Sequence, residues 1–127
     1  MKPYKILILE EEASIRMFAK MFLEEKKYQV DVAATLEEGT TKLKEGKFDV
    51  IIFDFNLPDF KGAQMMQTFK KISPNSFIFV MSSDVDTQGR EHFISLGADE
   101  AFSKSSDWFL EIDTLIKNVV QQKKTKS

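Results

Sequence analysis

Five side chains in this sequence carry the chemistry needed to accept a phosphoryl group. Glu10, Glu11 and Asp54 are carboxylates, Ser82 is a hydroxyl and Lys104 an ammonium. Closely spaced carboxylates repel one another and require a cation, and an all-oxygen set suits Mg2+, which also takes phosphate ligands. A carboxylate beside such an ion can act as an oxygen nucleophile toward phosphorus. Lys104 and the Ser82 hydroxyl can hold the transferred oxygens, one by charge and one by a hydrogen bond. Positioning and electrostatics are most of what phosphoryl transfer asks of a protein. Taken singly, each residue also has a plain reading. Asp54 precedes a polar turn closed by Pro58 and could simply initiate it. The chemistry therefore depends on whether the fold brings the five together.

Asp54 ends the run Val50-Ile51-Ile52-Phe53, a continuous apolar stretch that suits a strand buried on both faces. Ile6-Leu7-Ile8-Leu9 is a strand of the same type and runs into Glu10, Glu11 and Glu12. Between them, Ile15, Phe18, Ala19 and Phe22 recur at i, i+3, i+4 and i+7 and predict an amphipathic helix. Tyr28 to Ala34 alternates apolar and polar residues, as expected of a half-exposed edge strand. Thr35 is the expected N-cap of the next helix, with Glu38 as its capping-box partner and Gly46 as its stop. After Asp54 a helix is expected from Gly62 to Ile72, broken by Ser73-Pro74-Asn75. Phe77 to Met81 is the fourth strand, followed by a polar helix with Phe93 and Leu96 facing in and Gly97 at its end. Glu100 to Ser103 forms the fifth strand and leads into Lys104. Ser105-Ser106-Asp107 can cap a last helix with Trp108, Ile112, Leu115 and Val119 as its apolar stripe.

Strand and helix thus alternate five times, which argues for a parallel sheet covered by helices on both faces. The expected fold is α/β, a flavodoxin-like (βα)5 domain with a doubly wound sheet of order 2-1-3-4-5. In that order the ends of strands 1 and 3 are neighbours, so Glu10, Glu11 and Asp54 meet at one rim, and strands 4 and 5 add Ser82 and Lys104. Convergence from four strand ends outweighs the plain reading of Asp54. Residues 1–122 are expected to form the domain and 123–127 a frayed basic tail.

Composition narrows the partners. With 18 Lys+Arg against 20 Asp+Glu, the formal charge of −2 argues against direct nucleic-acid binding. The chain has no cysteine, hence no disulfide or thiolate chemistry, and no apolar run approaches a membrane span. A soluble, cytoplasmic protein follows as the expectation. The single histidine, His92, has no second His or Cys to make a metal site with, and Met65, Met66 and Trp108 suit packing better than ligand contact.

The chain resembles the receiver domain of two-component response regulators, with the architecture of a stand-alone, chemotaxis-regulator-like receiver. The resemblance rests on the acidic pair Glu10-Glu11, the Asp54-Phe55-Asn56-Leu57-Pro58…Gly62 motif, Ser82 and Lys104. It implies that Asp54 accepts phosphate from a sensor histidine kinase or a phosphotransfer protein. It implies Mg2+ held by Glu11, Asp54 and the Asn56 backbone carbonyl, and by Glu10 through water. Lys104 would pair with the phosphoryl group, Ser82 would move toward it on activation, and Asn56 and Asp84 would tune dephosphorylation. By the same analogy the face of helix 4, strand 5 and helix 5 signals to an unknown downstream protein or to a second copy in a homodimer. Such a domain is a signalling phosphoprotein of a phosphorelay; it catalyses only its own phosphotransfer and autodephosphorylation.

Three residues depart from the family pattern. Glu11 is one methylene longer than the usual aspartate ligand, which should weaken Mg2+ binding. Ser105 stands where the family has a proline after a cis bond, so a trans peptide is expected there. Ala101 stands where the family often has a Tyr or Phe that rotates inward; the adjacent Phe102 should face the other way. These departures motivate an alternative, a pseudo-receiver that binds other proteins without phosphate. An aspartate-nucleophile phosphatase is a third reading, which Asn56 opposes because such enzymes use a second aspartate at that position.

Overall fold

A computed structural model describes residues 4–57, 63–83, 85–104 and 108–126, with the backbone alone for residues 63 and 122–126. Pro58, Gly62, Asp84 and Ser105-Ser106-Asp107, each invoked above, lie outside the described residues.

The three apolar runs become strands because each side chain finds a covering layer on one side of the sheet or the other. They are β1 (Lys5–Leu9), β3 (Val50–Asp54) and β4 (Phe77–Ser82), joined by β2 (Gln29–Ala33) and β5 (Glu100–Ser103). All pair in parallel in the order β2-β1-β3-β4-β5. The helices between and after them are α1 (Ala13–Glu25), α2 (Leu36–Glu45), α3 (Ala63–Ile72), α4 (Thr87–Ser95) and α5 (Trp108–Lys126). Alternation along the strands sorts the core into two layers. Leu7, Leu9, Ile51, Phe53, Ile78 and Val80 pack with Leu36 and Leu43 of α2, Met66 and Phe69 of α3, and Phe93 of α4. Ile6, Ile8, Val50, Ile52, Phe79 and Met81 pack with Ala19 and Leu23 of α1 and Ile112 and Ile116 of α5. Ala101 joins the first layer and Phe102 the second, stacked on Trp108, so the two face opposite ways as expected.

Local signals act as the sequence suggests. Thr35 Oγ1 accepts the Glu38 N–H at 3.1 Å, and the Glu38 carboxylate reaches back to the Ala34 N–H, also at 3.1 Å. Gly97 follows α4 with φ +116°, a left-handed conformation that favours glycine. β2 is the partly exposed edge strand.

Three expectations are corrected. Phe18 lies 57% exposed, with Met17 and Met21 also open. The buried line of α1 runs through Ala19 and Leu23, and the Phe18 ring rests on Phe109 of α5 at 4.7 Å. In α5 the fully buried stripe steps by four, through Trp108, Ile112, Ile116 and Val120, while Leu115 and Val119 are partly covered. The polar C-terminal segment is also not unwound, since α5 continues through Lys126.

Gly39 shows how tightly α2 sits on the sheet. A Cβ there would lie 2.8 Å from Leu9 Cγ and closer still to Leu9 Cδ2, and Leu9 is fully buried. Gly39→Val is expected to cost about 1–3 kcal/mol through overpacking, despite the removal of a helical glycine. Urea unfolding measures it. Combined with Leu9→Ala, the loss should be smaller than the sum of the two single losses.

Candidate functional site

Strand register builds the site. Leu9 pairs with Phe53, so Glu10 and Asp54 come side by side one residue further on. Asp54 in turn pairs with Met81 and Ser82 with Ser103, which leaves Lys104 just beyond the rim. The Lys104 N–H donates to the Ser82 carbonyl at 2.7 Å, and Phe55 N–H to the Met81 carbonyl at 2.8 Å, so the ladder holds up to the point where the side chains emerge.

Lys104 is the hub. Its Nζ lies 2.8 Å from Asp54 Oδ2 and 2.5 Å from Glu10 Oε1. The Glu10 side chain is 1% exposed, that of Asp54 8% and that of Lys104 18%. The second oxygen of each carboxylate is bound by a backbone donor. The Asn56 N–H donates to Asp54 Oδ1 at 2.9 Å and the Glu12 N–H to Glu10 Oε2 at 2.9 Å. Leu57 N–H closes the turn on the Asp54 carbonyl at 3.2 Å, with Leu57 buried beneath it. Burial alone would lower the Lys104 pKa, but hydrogen bonds to Asp54 and Glu10 and their charges outweigh it, and the ammonium is held above its ordinary range.

The side chains expected at the rim do not all meet. Glu10, Asp54 and Lys104 converge, while Glu11 is exposed. Ser82 is partly buried on the adjoining strand end and contributes its carbonyl to the ladder. Asn56 is exposed beside Asp54, and His92 is exposed on α4.

Arg16 is a contributor that the sequence analysis did not single out. Its Nη1 donates to the Glu10 carbonyl at 2.8 Å and the Glu11 carbonyl at 2.6 Å, bracing the turn between β1 and α1. The signal available in the sequence was an arginine six residues beyond Glu10, within reach of the turn from the first turns of the helix.

Away from the hub, Phe55 packs edge-on against Phe93 at 4.8 Å, which ties the residue after Asp54 to α4. The Ser103 hydroxyl accepts the Val85 N–H at 2.9 Å and so fastens β5 to the segment before α4. On the same side Arg90 pairs with the buried Glu100 at 2.6 Å.

The donor set fits a hard divalent cation. Two buried carboxylates share one ammonium, leaving one negative charge in excess. Among the described residues no group of three or more His, Cys, Asp or Glu side chains is gathered as for a metal. Mg2+ needs fewer, because it is usually held by one or two carboxylates together with water and phosphate oxygens.

Comparison with known proteins bears on the family and the fold. The response regulator ArlR of Staphylococcus saprophyticus is 27% identical over 103 residues, covering 81% of this chain and 46% of its own length. The chain spans less than half the length of that relative and of the cell cycle response regulator CtrA of Brucella ovis, 24% identical over 79% of this chain. Among solved structures, the beryllofluoride-activated NtrC4 receiver domain dimer is 32% identical, with a TM-score of 0.79 over 96% of this chain and 98% of its own. A CheY-like receiver domain protein from Methanospirillum hungatei JF-1, 24% identical, shares the fold with a TM-score of 0.82 over 97% of this chain and 98% of its own. Among the described residues no helix is long and apolar enough to cross a membrane. The response regulator receiver domain model matches residues 6–117, and the chain belongs to that family.

Proposed function

We propose that this receiver domain accepts a phosphoryl group on Asp54, in a Mg2+-dependent reaction, from the phosphohistidine of a sensor kinase or phosphotransfer protein. The observation that carries the reading is Asp54 itself. It is a nearly buried carboxylate at the end of the central strand, with one oxygen oriented by the Asn56 N–H and the other facing the Lys104 ammonium. Receiver domains in general use Mg2+ for phosphorylation. Here Asp54, the Asn56 carbonyl and the acids after β1 are the residues that would hold it, and the ion when bound supplies charge neutralisation.

An Asp54 carboxylate oxygen attacks phosphorus and forms the O–P bond while the N–P bond to the donor histidine breaks. The departing imidazole nitrogen takes a proton from solvent. Lys104, already aimed at Asp54 Oδ2, then pairs with a phosphoryl oxygen, and Ser82 on the neighbouring strand end supplies a hydroxyl to another. As Lys104 and Ser82 turn toward the phosphoryl group, the segments they anchor shift with them. In this chain the route to α4 runs through the Phe55–Phe93 contact and the Ser103–Val85 tie, since Ala101 has no ring to rotate. The face of α4, β5 and α5 would then present the signal to a downstream protein or a second copy. Asn56 and Asp84 retain their proposed part in setting the lifetime of the acyl phosphate, and the cytoplasm remains the proposed location.

The test is incubation with Mg2+ and a small phosphodonor, read by intact mass, with Asp54→Asn as control. Absence of labile phosphate on the wild type, together with unchanged spectra in beryllofluoride, would favour the pseudo-receiver reading that Glu11, Ser105 and Ala101 motivate.

A further inference from the structure

At the rim of the sheet opposite Asp54, the turns that lead into β3 and β4 flank a cleft of about 400 Å3. That volume lies within the range of ligand sites, roughly 300–1,000 Å3. Leu43 and Phe48, both nearly buried, form its floor, with Ile72 and Pro74 beside them. Its walls are fixed to each other. The Ser76 hydroxyl donates to the Phe48 carbonyl, and the Phe77 N–H to the Asp49 carbonyl at 2.9 Å.

The charge around this floor is opposite in sign to that of the whole chain. Lys44 and Lys47 line the cleft, and Lys5 Nζ stands over the Phe48 ring, 4.9 Å from its centre. Asp49 is the one acid in the lining, and its Oδ2 already accepts the Lys5 N–H at 2.8 Å. Glu45 lines a different groove of α2, with Glu38 and Lys42. Among the described residues no carboxylate pairs with the side chains of Lys5, Lys44 or Lys47. Three unpaired ammoniums thus gather at one apolar floor, in a chain of formal charge −2. The dipole of α2 favours Lys44 in its last turn, but it accounts neither for Lys5, on β1, nor for the apolar floor.

We propose that this cleft docks an acidic peptide segment of a partner protein. An apolar side chain of the segment lies on the floor, and carboxylates on either side of it meet the lysines. The ammoniums stand on β1, on α2 and just past the end of α2, so the charge that complements them is spread along a chain rather than gathered on one group. The cleft adjoins the start of β3 and Asp54 is at its end, so the inference does not depend on phosphorylation.

The experiment is an NMR titration of the full chain with the capped tripeptide acetyl-Glu-Leu-Glu-amide, following the amides of Gly46, Phe48 and Asn75. Saturable shifts are expected at these amides, and added NaCl should weaken the binding, since exposed charges are screened. Lys47→Gln should weaken it about two- to fivefold, the size of one exposed ion pair. Gly46→Glu should weaken it roughly tenfold or more, by occupying the cleft and repelling the peptide. A Cβ at Gly46 would lie 3.5 Å from Lys5 Nζ and 3.9 Å from Phe48 Cε2, which are ordinary contacts. The Gly46 φ of −143° is extended backbone that any residue adopts, so the variant should fold. Gly46→Ala, which leaves the cleft open, should keep the wild-type affinity.

Four outcomes overturn the proposal. One is the absence of saturable shifts at these amides at millimolar peptide, and another is full affinity in Gly46→Glu. Equal binding of acetyl-Lys-Leu-Lys-amide would show that charge does not select the ligand. Equal binding of glutarate, which has the carboxylates without the peptide or the side chain, would leave a small-anion site only.

Discussion

Given Mg2+ and a small acyl-phosphate donor, the wild-type chain is expected to gain one phosphoryl group per molecule, and Asp54→Asn none. The selectivity follows from the surroundings of each carboxylate. Asp54 is oriented by a backbone N–H on one oxygen and faces an ammonium on the other, an arrangement that can neutralise charge developing at the phosphoryl oxygens. Glu10 has the same ammonium, but its side chain is 1% exposed and one oxygen is occupied by the Glu12 N–H, so a donor cannot approach it. Glu11 is accessible but solvent-exposed, with no preorganised partner among the contacts of the hub. Asparagine keeps the shape of Asp54 and an oxygen for the Asn56 N–H, while Lys104 keeps Glu10. The variant should therefore stay folded, within about 1–2 kcal/mol of the wild type. A chelator should suppress the wild-type reaction. Equal mass gain in Asp54→Asn would place the phosphoryl group elsewhere and sink the proposal.

The parts of this protein that were legible in the sequence are those set by repetition. Three uninterrupted apolar runs, at Ile6–Leu9, Val50–Phe53 and Phe77–Met81, could satisfy their surroundings only as strands covered on both faces, and they are so covered. Once the order of the strands is granted, Asp54 and Lys104 must share a rim, which the register confirms. What could not be read was the direction of side chains just past the ends of elements. Alternation predicts facing only while a strand continues, and β1 stops at Leu9. Beyond it, the inward turn of Glu10 and the outward turn of Glu11 depend on Arg16 and on the Glu12 N–H, side-chain-to-backbone contacts that leave no periodic trace. Phe18 illustrates the same limit on a helix. Its spacing with Ile15, Ala19 and Phe22 admits a buried face, yet α1 is rotated so that Ala19 and Leu23 face the sheet and Phe18 meets α5 instead.

Lys104→Met is expected to lower stability by roughly 3 kcal/mol, the lower end of what removing one partner from a buried ion pair costs, because the lysine itself is partly solvated. Methionine fills the stem but leaves Glu10 and Asp54, 1% and 8% exposed, facing each other without a cation. The pH dependence has a definite sign. Lys104 has its folded-state pKa raised above the ordinary 10.5, so its stabilising contribution is complete below that value and is lost as pH rises through the higher, folded-state one. The gap in unfolding free energy between wild type and variant should thus be full at neutral pH and close only in strongly alkaline solution. A gap that closed between pH 5 and 8 would mean that another group controls it. Mg2+ gives the second readout. A ligand stabilises the native state by mass action, the more so the tighter it binds, and in the variant a divalent cation bound at the proposed site would no longer compete with an ammonium for Glu10 and Asp54. Added MgCl2 should therefore raise the urea midpoint of Lys104→Met more than that of the wild type, at equal concentration. An equal or smaller rise would show that the ammonium and the metal do not compete for the same two carboxylates.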